Sequence, residues 1–106
     1  MESSITVNVD ADTATLTLTG KLEATNAPHL MEELKQLMGK GINKVVFQAE
    51  QLSYISSAGL RTIIFAKQKI GSHVDVYLIG AQDAVLEVVK MSGLETYLEI
   101  QDTFTP

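Results

Sequence analysis

Residues 52–64 of this 106-residue chain read Leu-Ser-Tyr-Ile-Ser-Ser-Ala-Gly-Leu-Arg-Thr-Ile-Ile, and two periodicities meet inside them. Just upstream, Val45-Val46-Phe47 is a short apolar run that suits a strand covered on both faces. Downstream, Leu60, Ile63, Ile64 and Ile70 recur at helical spacing. The small and polar residues between them, Ser56, Ser57, Ala58 and Gly59, are then predicted to form a strand-to-helix corner.

Working outward, Ile5, Val7 and Val9 alternate with polar residues, as do Ala14, Leu16 and Leu18 with the threonines around them. Two half-buried strands follow, joined by a short turn at Asp10-Ala11-Asp12 as an antiparallel hairpin, with Gly20 ending the second. From Asn26 the period changes. Ala27, Leu30, Met31, Leu34, Leu37 and Met38 mark an amphipathic helix, Pro28 fits its first turn, and Gly39 and Gly41 stop it. Beyond the corner, residues 74–80 read as a strand, Asp83 as the cap of a helix carrying Val85, Val88 and Val89, Gly93 as a left-handed stop, and residues 97–100 as a last short strand. The order ββαβαβαβ predicts one α/β domain over residues 1–106: an opening hairpin, then alternating elements with right-handed crossovers in a mostly parallel sheet with helices packed on it. Leu30, Leu34, Val46, Ile64 and Val76 are expected core residues, and Met31 and Met38 are expected to fill that core.

Composition narrows the function classes. The chain has 45% hydrophobic residues, enough to close one core, and no cysteine, which removes disulfides and thiolate chemistry and points to the cytoplasm. The acidic start at Glu2 lacks the pattern of a secretory signal, so the mature protein is expected to begin here, and no apolar run approaches a bilayer span. A formal net charge of -5 without a basic cluster argues against direct binding of nucleic acid. Neither Gly39-Lys40-Gly41 nor Gly80-Ala81-Gln82-Asp83 has phosphate-loop spacing, and no cluster suggests a metal or a cofactor.

Three readings of the serine corner stand side by side. Ser56 or Ser57 caps the second helix. Alternatively, Ser57 is a nucleophile on a strained elbow, with His29 or His73 as base; Gly59 fits that pattern and Ile55 does not. In the third, a serine in the first turn of a helix is a switch, because a phosphate there meets free N–H donors and the positive end of the helix dipole.

Tyr54-Ile55-Ser56-Ser57-Ala58-Gly59-Leu60-Arg61, set between strand and helix, resembles the signature of the STAS family, named for sulfate transporters and anti-sigma factor antagonists. Gly20-Lys21-Leu22-Glu23 ahead of Asn26-Ala27 resembles the family's Gly-x-Leu-Asp approach to its first helix, and Val89-x-x-Ser92-Gly93-Leu94 resembles its closing segment. The resemblance implies a STAS-type fold and a partner-switching regulator rather than an enzyme. Stand-alone members bind an anti-sigma factor that is also a serine kinase, phosphorylation of the family serine ends that binding, and a serine phosphatase restores it. Aligned on Gly59, the role falls to Ser57, with Ser56 where the family has an aspartate and is the second choice of acceptor. Glu23, Ser56, Ser57, Ala58, Gly59 and Arg61 then form the expected partner interface. The alternative within the family is an accessory subunit of an ABC complex that moves lipids. A serine hydrolase is the third.

Overall fold

The computed structural model describes residues 2–70 and 73–104. Two strands, β1 (Ser4–Asp10) and β2 (Thr13–Leu22), open the chain, followed by α1 (Ala27–Gln36), β3 (Lys44–Ile55), α2 (Ser57–Phe65), β4 (Asp75–Ile79), α3 (Asp83–Met91) and β5 (Glu99–Gln101). They build a five-stranded sheet in the order β1-β2-β3-β4-β5, antiparallel only at the β1–β2 hairpin. In such a sequential order every parallel crossover steps the same way, and right-handed connections then carry all three helices to one face. One apolar cluster accordingly joins Leu16, Phe47 and Leu78 of the sheet to Leu30 and Leu34 of α1, Ile63 of α2 and Val85 and Val89 of α3.

The alternation in β2 sorts its side chains: Ala14, Leu16, Leu18 and Leu22 are buried beneath the helices, and Thr13, Thr15, Thr17 and Thr19 lie on the opposite face. On that far side Tyr77 of β4 meets Phe104 edge to face, ring centres 5.0 Å apart. Among the described residues, no helix is long and apolar enough to cross a membrane.

The hairpin turn is tighter than the three-residue version expected from the sequence. Asp10 already pairs with Thr13, so only Ala11 and Asp12 lie outside the ladder, and Ala11 takes a left-handed φ of 55°. A Cβ is disfavoured there, so Ala11→Gly is expected to raise stability by about 0.5 to 1 kcal/mol, read as a higher denaturant midpoint at unchanged slope. Asp12 fastens the turn to the start of β3: its carboxylate accepts from Asn43 Nδ2 at 2.9 Å, and its carbonyl accepts from the backbone of Asn43 and Lys44. The Asn43 hydrogen bond foremost holds the Asp12 carboxyl below its ordinary value.

Four expectations are corrected in detail. Ile64 is only half-buried: adjacent helical residues stand about 100° apart, so Ile63, fully buried, faces the sheet while Ile64 turns to its flank. Met38 is 45% exposed because α1 ends at Gln36 and the chain there has left the helix, and Met31 is half-buried. The last strand starts later than expected, since Leu94–Tyr97 form a 3-10 turn after Gly93, whose φ of 78° is the left-handed stop anticipated. Asp83 lies inside the first turn of α3, with Gln82 at the cap position and no side-chain cap bond. Leu30, Leu34, Val46 and Val76 are buried as expected.

Candidate functional site

β3 is much longer than its apolar run suggested, and its last residues carry the chain to the end of the sheet where β2 also stops, Ile55 pairing with Leu22. The Ser56 N–H donates to the Leu22 carbonyl at 2.8 Å and the Ser53 hydroxyl donates to the Gly20 carbonyl at 2.9 Å. These bonds hold the start of α2 against the loop that leads into α1. That loop is itself locked by Asn26, whose side chain accepts from the Glu23 N–H and donates to the Lys21 carbonyl, both at 2.8 Å. In the sequence Asn26 marks only the start of a helix. Its side chain closes the loop instead and makes no cap bond to α1.

The two serines are not equivalent. Ser56 is extended at the cap position of α2, and its Oγ accepts from the Gly59 N–H at 3.2 Å. This is the capping reading of the corner, satisfied by Ser56. Ser57 is the first helical residue and is exposed. Its hydroxyl has no hydrogen-bond partner among the described residues, so its oxygen stays open to an incoming group.

Gly59 is buried where α2 crosses the ends of the strands. A Cβ at this position would lie 2.9 Å from both Leu22 Cγ and Ile55 Cγ1, closer than side-chain carbons approach one another. Gly59→Ala therefore forces α2 outward or displaces Leu22, and it is expected to cost about 1 to 3 kcal/mol in a denaturant titration. One residue on, Leu60 returns to the core, and the buried Thr62 hydroxyl is satisfied by the Gly59 carbonyl at 2.5 Å.

Around Ser57 lie a half-buried Ala58, a half-buried Glu23 in the β2–α1 loop, and an exposed Arg61 one turn along α2. Ala58 and Arg61 also line an open groove of about 310 Å³ between α1 and α2, floored by Ala27, Met31 and Thr62. Of the candidate bases, His29 pairs with Glu33 on α1 at 3.5 Å, and His73 is exposed in the turn that enters β4, beside the start of β3 and so at the other end of that strand from the corner. No hydrogen bond joins either of them to Ser57 among the described residues. The corner thus offers an accessible hydroxyl at the start of a helix, and among the described residues no histidine is hydrogen-bonded to it.

Comparison with known proteins agrees with this geometry. The STAS domain family matches residues 4–105. BtrV of Bordetella bronchiseptica, named as a candidate anti-sigma factor antagonist, is 38% identical over 77 residues, which cover 72% of this chain. The chain spans 66% of the length of that curated relative. The crystal structure of an anti-sigma factor antagonist from Mycobacterium paratuberculosis superposes with a TM-score of 0.86 at 14% identity, covering 97% of this chain and 88% of the other. The Bacillus cell fate determinant SpoIIAA in its phosphorylated form superposes with a TM-score of 0.74 at 14% identity, covering 92% of this chain and 90% of the other. With one sheet in sequential order, the serine corner at the C-terminal end of its central strand and a family match along nearly its whole length, the chain belongs to the STAS domain family.

Proposed function

We propose that this protein is an anti-sigma factor antagonist working by partner switching. In this reading it is a regulatory protein of the cytoplasm that binds an anti-sigma factor with serine kinase activity. Phosphorylation of Ser57 ends the binding and a serine phosphatase restores it. The observation that carries the reading is the division of labour at the corner: Ser56 spends its oxygen on the helix cap, while the Ser57 hydroxyl is exposed and unengaged among the described residues. The name given to the Bordetella relative and the existence of a phosphorylated form of SpoIIAA support it.

The partner surface is formed by Glu23, Ser56, Ser57, Ala58 and Arg61, with Gly59 beneath them setting how closely α2 approaches the strands. A phosphate on Ser57 projects from the first turn of α2, where backbone N–H groups and the helix dipole favour negative charge, so the fold accepts the modification. Incubation with the cognate kinase and ATP is expected to add one phosphate, located on Ser57 by mass spectrometric site mapping. Phosphate found only on Ser56, or no uptake with a kinase shown to bind the protein, overturns the assignment.

A further inference from the structure

Arg61 is the single arginine of the chain, and it is exposed on α2 in a protein of formal net charge -5. Among the described residues it forms no ion pair. It stands four residues after Ser57 on the same nine-residue helix. Helical side chains at i and i+4 share a face, and a long side chain leans toward the N-terminus of its helix, over the turn that precedes it. Position 61 therefore puts a guanidinium within reach of the turn that Ser57 begins. The order, anion first and cation four residues later, is also the favourable one for such a pair.

We infer that Arg61 is the internal counter-ion of a phosphate on Ser57, taking it through paired N–H donors. The inference rests on the reading of Ser57 as the acceptor. A guanidinium matches phosphate geometry in a way that an ammonium does not, and two parallel N–H···O bonds fix the phosphate over the helix rather than leaving it in solvent. The sheet also brings Lys21 toward the corner, paired across the β2–β3 ladder with Tyr54, but it neighbours Leu22, whose side chain is buried under the helices. Alternation in β2 turns Lys21 to the opposite face of the sheet, where it is exposed. Glu23 follows Leu22, whose carbonyl accepts from the Ser56 N–H, and this acidic residue is kept in every background compared, so the comparison isolates position 61. Arg61 is also the sole cationic residue lining the groove between α1 and α2. Pairing with the phosphate withdraws that charge from the groove, so one modification changes the corner and the groove beside it together.

The test needs no kinase. Phosphoserine is encoded genetically at position 57 of the full chain, in wild type, Arg61→Gln and Arg61→Lys backgrounds, and its second ionisation is followed by ³¹P NMR against pH. The dianion is favoured by the guanidinium, so the wild-type midpoint is expected about 0.3 to 0.6 pH units below that of Arg61→Gln, with Arg61→Lys between them, and the gap is expected to shrink in high salt. Because the chain has one arginine, its side-chain Nε–H gives one resonance, which is expected to move downfield on phosphorylation. Wild type and Arg61→Gln titrating within about 0.1 pH unit of each other, with an unmoved Nε–H resonance, overturn the inference. A cognate kinase that modified a residue other than Ser57 sinks the acceptor assignment and leaves this titration unaffected, so the two failures are distinguishable.

Discussion

Phosphorylated at Ser57, the protein is expected to melt within a few degrees of the unmodified chain while its affinity for the anti-sigma factor falls by about a hundredfold or more. The two halves of this result come from opposite environments of one group. In the free protein the phosphate adds about 1.5 to 2 negative charges at pH 7 to an exposed first helical turn, a location worth roughly 0.3 to 1 kcal/mol in its favour. In the complex the same dianion has to lose its water against a surface formed around a neutral hydroxyl. One guanidinium neutralises only part of the dianion, and stripping water from the charge that remains costs several kcal/mol, with each 1.4 kcal/mol about tenfold in affinity. Ser57→Asp carries one charge and a different shape, so it is expected to weaken binding in the same direction by less. Ser57→Ala is expected to bind and to resist being switched off. A thermal melt beside a binding titration for all four forms checks the prediction. A phosphoprotein that melts far below wild type points to switching by unfolding, and one that binds the anti-sigma factor equally well removes Ser57 from the interface.

Replacing Leu34 by Ala is expected to cost about 2 to 5 kcal/mol. Leu34 is fully buried on the face of α1 that packs on the sheet, in the cluster that also holds Leu16 and Phe47. Truncation removes apolar contact and leaves a cavity that the surrounding strands close only in part. Ile64→Ala is the informative contrast. Ile64 is half-buried and borders the open cavity of about 470 Å³ that it shares with Leu94 and Tyr97, so its truncation widens an existing space at the surface. Its cost is expected at about half that of Leu34→Ala or less, because much of the side chain never leaves water. Equal losses at the two positions in urea titrations contradict the assignment of faces on α2.

The order of elements was legible because each period change in the sequence coincides with a change of backbone. Alternation in residues 5–9 and 14–18 gave the hairpin, and the stripe of Leu30 and Leu34 gave α1. The errors lie where a pattern serves two masters. Ile63 and Ile64 both fit a helical stripe, yet one helix face admits only one of two adjacent residues, and the sequence does not say which. Met38 continues the spacing of α1 past Gln36, where the helix has already ended. At the corner the sequence left Ser56 and Ser57 interchangeable as caps. Only the backbone separates them, by placing Ser56 extended, with its oxygen on the Gly59 N–H, and Ser57 already in the helix. The lock made by Asn26 was invisible for a related reason: an asparagine before a helix signals a cap, whereas its bonds to Glu23 and Lys21 depend on how the loop folds back.

The central claim is that the unmodified chain antagonises an anti-sigma factor and that Ser57 controls it. The direct measurement is release of sigma factor from a preformed complex with the anti-sigma factor, followed by fluorescence anisotropy of labelled sigma as this protein is added. Unmodified protein and Ser57→Ala are expected to release sigma in a saturable way, and protein phosphorylated at Ser57 to leave it bound at concentrations about a hundredfold higher. Sigma that stays bound at saturating unmodified protein, or that is released equally by the phosphorylated form, contradicts the account.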